Sequence, residues 1–128
     1  MGRAVKNNFN ILLAEDDRDI REIVLHFLEI KGYKVKAVPD GMEALKELKR
    51  NPYKLLITDI HMPRMDGKSL IKQLRKNRIN INTLVMSGGL NKNTYKLLEE
   101  KNVISYILKP FNLNHLLQQV EKGFIVVN

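Results

Sequence analysis

The chain has 128 residues, 44% of them apolar, which is one domain's length with enough apolar side chains to bury a core. It contains no cysteine, so disulfides, thiolate metal sites and thiol nucleophiles are excluded, and a reducing, cytoplasmic setting is expected. The formal charge of +8 favours an acidic partner in principle, but five of the 22 Lys and Arg crowd into one stretch, KSLIKQLRKNR at residues 68–78.

On a helix those cations fall largely opposite Leu70, Ile71 and Leu74. That is where a solvated face belongs, and it is also where a polyanion site would sit. No apolar run approaches the roughly 20 residues of a membrane helix, and MGRAVKNNFN has no apolar signal core. Lys6 stands where a myristoylation signal needs Ser or Thr. The reading is a soluble, unprocessed protein with no membrane association.

Residues 1–8 read as a flexible N-terminal tail, with a single domain over 9–128. Asn10–Ala14 (NILLA) is a first strand, followed by Ile20, Ile23, Val24, Phe27 and Leu28 at helical spacing and by Gly32 as a helix stop. Lys34–Val38 (KVKAV) is a second strand. Asp40 can cap a helix carrying Met42, Ala44, Leu45 and Leu48, with Pro52 just past its end. Leu55–Thr58 (LLIT) is a third strand that stops on Asp59. Pro63 and Gly67 belong to the loop after it, and Asp66 caps a helix carrying Leu70, Ile71 and Leu74. Thr83–Met86 (TLVM) precedes a weaker helical set of Tyr95, Leu97 and Leu98. Val103–Leu108 (VISYIL) leads to Asn112 as cap of a last helix bearing Leu113, Leu116, Leu117 and Val120.

Five strands alternating with five helices predict an α/β fold with a doubly wound parallel sheet, the strands apolar on both faces because helices cover both. In such sheets ligands bind at the carboxyl ends of the strands. The first strand ends on Glu15, Asp16 and Asp17 and the third on Asp59. With strand order 2-1-3-4-5 these ends are neighbours, and several carboxylates converge. Close like charges oppose one another's ionisation. A hard divalent cation relieves this, and oxygen ligands without sulfur or clustered imidazole suit Mg²⁺ or Mn²⁺. Ser87, before Gly88 and Gly89, and Lys109, before Pro110, bring a hydroxyl and an ammonium to the same edge.

The ED pair in LLAEDDRDIREIV, DIHMPRMDG after the third strand, MSGG after the fourth and YILKPF at the fifth stand in an order and spacing that cover nearly the whole chain. In these motifs the chain resembles the CheY-like receiver domain of two-component response regulators. The resemblance implies that Asp59 accepts a phosphoryl group from a phosphohistidine on a sensor histidine kinase or a histidine phosphotransfer protein. It implies Mg²⁺ held by Glu15, Asp16, Asp59 and the backbone carbonyl of His61, with Asp17 an extra acid beyond the pair. Ser87 matches the switch hydroxyl, Tyr106 the switch aromatic, and Lys109 the site lysine, with a cis Lys109–Pro110 bond. Ile20 and Arg21 fall on the face that resembles the kinase-docking surface.

His61 and Gly89 each lie two residues beyond a site residue, at positions the resemblance marks as variable and rate-tuning, whereas His26 and His115 read as surface or packing residues. A chain ending at Asn128 is expected to signal through a downstream output protein or domain. The face implied is that of the fourth helix, fifth strand and fifth helix, which would also serve a homodimer. Two other classes compete. A pseudo-receiver that only binds protein, or a polyanion through the basic third helix, would not need the acids. A flavodoxin-like flavin protein needs a phosphate loop where this chain places EDD. Direct nucleic-acid binding is not the favoured reading.

Overall fold

A computed structural model describes residues 10–89 and 91–124. The expected tail at residues 1–8 and the last residues of the chain lie outside that range. The strands are β1 (Ile11–Ala14), β2 (Val35–Val38), β3 (Leu55–Asp59), β4 (Asn82–Ser87) and β5 (Val103–Leu108). They alternate with α1 (Arg18–Ile30), α2 (Gly41–Arg50), α3 (Gly67–Lys76), α4 (Lys92–Leu97) and α5 (Leu113–Lys122). All strand pairs are parallel, as the alternation predicts, and their order is β2-β1-β3-β4-β5, the one the resemblance implies.

Alternate residues along the central strands point to opposite faces, which sorts the core into layers. Ile11 and Leu13, Leu55 and Ile57, and Leu84 and Met86 pack with Val24 and Leu28 of α1 and Leu116 and Val120 of α5. Leu12, Ala14 and Leu56 pack instead with Ala44, Leu45 and Leu48 of α2 and Leu70 and Leu74 of α3. Val85 meets Ile71 and Leu97 in a smaller third cluster under α4. Each fully buried Leu or Ile contributes about 2 kcal/mol of transfer free energy, so these layers fix the register.

β5 departs from the expectation of strands buried on both faces. Ile104, Tyr106 and Leu108 are 36%, 37% and 44% exposed, and within the strand only Ile107 is fully buried. The run VISYIL is apolar but for Ser105, yet β5 is an edge strand, and the six-residue α4 buries only Thr94 and Leu97. Tyr95, read as part of that helix's apolar set, is 56% exposed.

The capping residues act as the sequence predicts. Asp40, Asp66 and Asn112 each accept from the backbone N–H three residues on. Gly32 has φ +98° just beyond α1, and the bonds Gly32 N–H to Glu29 and Tyr33 N–H to Leu28 close a Schellman turn. Gly67 is needed for a different reason. A Cβ there would overlap the carbonyl oxygen of Asp59, because the chain returns into α3 pressed against the end of β3. Gly67→Ala should therefore cost about 2 kcal/mol or more through forced displacement of backbone. Gly32→Ala, where the added methyl meets open space, should cost only about 1 kcal/mol of conformational strain. Urea unfolding of the two variants checks that order.

Candidate functional site

The parallel sheet delivers the ends of β1, β3, β4 and β5 to one edge. Glu15 follows β1 directly and is fully buried; Asp59 is the last residue of β3 and 6% exposed; Asp16 stands in the open beside them. Lys109 reaches back from the end of β5 and places Nζ 2.7 Å from Glu15 Oε1 and 2.8 Å from Asp59 Oδ2. The Lys109–Pro110 bond is cis, as the resemblance implied, and Lys109 N–H donates to the Ser87 carbonyl at 2.7 Å. The other oxygen of Asp59 accepts from the amide of Ile60 at 2.7 Å and more weakly from that of His61 at 3.4 Å. One carboxylate is thus held from both sides. One oxygen from each of Glu15, Asp16 and Asp59 lies within 4.8 Å of the others, an all-oxygen donor set suited to a hard divalent cation.

The neighbouring residues divide into those that join the cluster and those that do not. Asp17 does not: its side chain accepts from Ile20 N–H and caps α1, while its own N–H donates to Glu15 Oε2. The Ser87 hydroxyl is buried at the edge but engaged with its own loop, donating to the Gly89 carbonyl and accepting from the Gly89 amide. Tyr106 sits on the exposed face of β5, and His61 is exposed. His26 is exposed near Glu29 on α1, and His115 is exposed on α5.

Arg21 has a structural part that its sequence position did not reveal. Its guanidinium donates to the backbone carbonyls of Glu15 at 2.9 Å and Asp16 at 3.4 Å, holding the acidic turn from the first turn of α1. Arg64 does likewise for the loop after Asp59, lying 3.4 Å from the buried carboxylate of Asp40, while Gly41 N–H donates to the Met65 carbonyl. An Arg in a charged, surface-like run has no sequence signal that separates such a role from solvation.

The charges explain the pKa pattern. Burial pushes Glu15 up from 4.5 to about 7, and the Asp59 charge adds to the rise, against the opposing pull of Lys109 and the Asp17 amide. For Lys109, burial alone would lower the value, but the bonds to Asp59 and Glu15 outweigh it and leave the ammonium above its ordinary range. Lys109 is therefore a fixed positive charge, whereas Glu15 resists ionisation.

The family model described as response regulator receiver domain matches residues 11–121. The chain belongs to the response regulator receiver family. This receiver is 33% identical over 119 residues to a probable C4-dicarboxylate response regulator, DctR, of Bacillus subtilis, covering 91% of the chain and 53% of DctR. It is 36% identical to the response regulator receiver protein CpdR of Brucella abortus, covering 90% of the chain and 96% of CpdR. The receiver thus spans about half the length of DctR and nearly all of CpdR. Among solved structures, the response regulator TrrA of Thermotoga maritima, in complex with Mg²⁺ and BeF, superposes with TM-score 0.78 at 28% identity, covering 91% of this chain and 99% of that one. No helix of the described residues is long and apolar enough to cross a membrane.

The raised value of Glu15 has a sign. Because the folded protein holds this proton more tightly than the unfolded chain, the contribution is complete below about pH 4.5 and is lost as pH rises through about 7. In chelator-treated protein, Glu15→Gln should raise the melting temperature relative to wild type more at pH 8 than at pH 5. A pH-independent difference would contradict that assignment.

Proposed function

We propose that Asp59 is a phosphoacceptor and that this receiver takes a phosphoryl group from a phosphohistidine on a sensor histidine kinase or phosphotransfer protein. The observation that carries the reading is the Asp59 carboxylate fixed between Lys109 Nζ and the Ile60 amide, with two further carboxylates beside it. Phosphoryl transfer asks little bond-making of a protein and much positioning and charge neutralisation. One carboxylate oxygen forms the bond to phosphorus as the bond from phosphorus to the donor imidazole nitrogen breaks, and the imidazole leaves with that electron pair. Lys109, already on Asp59, neutralises the transferred oxygens. The Ser87 hydroxyl, released from Gly89 by a rotation of its side chain, donates to one of them.

The donor set fits Mg²⁺, with Mn²⁺ as a substitute: Glu15, Asp16 and Asp59 with the His61 backbone carbonyl would hold it, and when bound it supplies positive charge beside the phosphoryl oxygens. TrrA, bound to Mg²⁺ and BeF, supports the same assignment here. Arg21 keeps the acidic turn in place for any such ligand. The donor docks over the first turns of α1, where Ile20 packs partly into the core and Ile23 is 55% exposed.

The acyl phosphate would favour one of two existing arrangements of Ser87 and Tyr106. Tyr106 is not locked into the core, so its ring is free to take a second rotamer. Tyr95, Ile104, Tyr106 and Leu108 give α4 and β5 an exposed apolar strip, beside a cavity of about 490 Å³ bordered by His115 and Lys122 of α5. This strip is the proposed output face, for a downstream protein, an output domain or a second copy of the chain.

Incubation with acetyl phosphate and Mg²⁺ should add one phosphoryl mass to the intact wild-type protein and none to Asp59→Asn; labelling that persists in the variant overturns the assignment. His61, whose amide lies 3.4 Å from Asp59 Oδ1, and Gly89 are both exposed, and of the two only His61 carries a side chain able to limit water access. His61→Ala should shorten the phosphorylated lifetime several-fold, and an unchanged decay rate would remove that shielding role.

A further inference from the structure

A furrow runs between α3 and α4 and ends beside the loop that follows Asp59. Its main cavity, about 290 Å³, is bordered by Lys68 and Lys72 of α3 and by Asn93 and Lys96 of α4, over a floor of Ile71 and Leu97. At the upper end it continues past Lys68 and Asn93 into a smaller cavity of about 120 Å³ that reaches His61. At the lower end stands Glu100, whose carboxylate is held by both oxygens on Arg75 Nη1, at 2.7 and 2.9 Å. Among the described residues, Lys68, Lys72 and Lys96 are in no ion pair. Three unpaired lysines thus line one cleft whose own carboxylates are already engaged, Glu100 with Arg75 and Asp66 with the Ser69 amide. A merely solvated helix face spreads like charges outward to limit their repulsion, whereas here lysines of two helices border one concavity.

We propose that the furrow between α3 and α4 is a docking site for an acidic segment of a partner protein. This reading does not rest on phosphoryl chemistry at Asp59. The shape and lining select among anions. A concave, narrow cleft cannot enter a duplex groove, which takes a protruding helix or ribbon. Its lining holds no Phe, Tyr or Trp on which successive single-stranded bases could stack, and such stacking is what these sites use alongside charge. Nor does it resemble a membrane-binding face, which presents apolar side chains among its cations. The apolar floor here is buried, with Ile71 7% and Leu97 6% exposed, and the exposed large apolar side chains lie on α1, α4 and β5. A row of Asp and Glu side chains meets these requirements, with carboxylates on the lysines and the Asn93 amide free to donate to a backbone or side-chain oxygen. Exposed ion pairs are individually weak and screened by salt, so binding depends on several lysines together.

The test uses the whole chain, without phosphodonor, and a fluorescein-labelled oligoglutamate peptide read by anisotropy. Wild type should bind at low ionic strength and weaken steeply with added salt. The triple variant Lys68→Gln, Lys72→Gln, Lys96→Gln should bind at least about tenfold more weakly. A variant of equal charge change elsewhere, Lys34→Gln, Lys49→Gln, Lys54→Gln, should stay within about twofold of wild type, which separates a site from a net-charge effect. Circular dichroism confirms that both remain folded. Equal losses in the two triples overturn the proposal. So does tighter binding of a single-stranded DNA oligomer, or of vesicles containing phosphatidylglycerol, than of the peptide.

Discussion

Lys109 is one ammonium shared by two carboxylates that the fold has almost removed from water. The acidic edge depends on it, because burying one carboxylate is costly and burying two side by side is more so. The lysine offsets the charge of one. The remainder shows in Glu15, which takes up a proton at pH values where an ordinary glutamate is ionised. The edge is therefore built short of positive charge. A divalent cation or a transferred group that brings its own cation is the chemistry such a deficit recruits. The buried approach of β1 and the amide of Ile60 serve the same geometry, since a displaced lysine would leave both acids uncompensated.

The framework around this edge was legible because two independent periodicities agreed. Central strands are apolar on both faces and their helices on one, and the caps at Asp40, Asp66 and Asn112 fall where the periods change. Position alone then placed Glu15, Asp16, Asp59, Ser87 and Lys109 at one edge, since every parallel strand ends on the same side. What did not show was how each polar group divides its bonds. EDD reads as a pair with an extra acid beyond it, but that the third acid is a helix cap is decided only by the backbone turn. Ser87 reads as a hydroxyl offered to the site, but Gly89 supplies both a donor and an acceptor within reach. The bonds of Arg21, placed by the resemblance on a docking face, and of Arg64 did not show because their partners are backbone carbonyls and a distant cap, neither of which leaves a pattern in the residues around them. VISYIL hid its exposed face because an apolar run cannot say whether a helix covers it.

The two sides of the edge are constrained unequally, which bears on how a change at Asp59 would travel. On the α2 side the loop from β3 is fixed at several points: Gly67 against the Asp59 carbonyl, Gly67 N–H on the Ile60 carbonyl, Met65 on Gly41, and Arg64 on Asp40. On the α4 side Gly88 and Gly89 have nothing packed against the position of a side chain, and the helix beyond them is six residues long. Packed elements shift between discrete arrangements rather than deform continuously, and the less buried element moves at lower cost. A new charge at Asp59 that draws Ser87 from Gly89 would remove the two bonds that shape this loop. The displacement would then pass to α4 and to the exposed face of β5 rather than to α2. α4 also forms one wall of the lysine-lined furrow, so any such displacement of α4 would change that furrow's width.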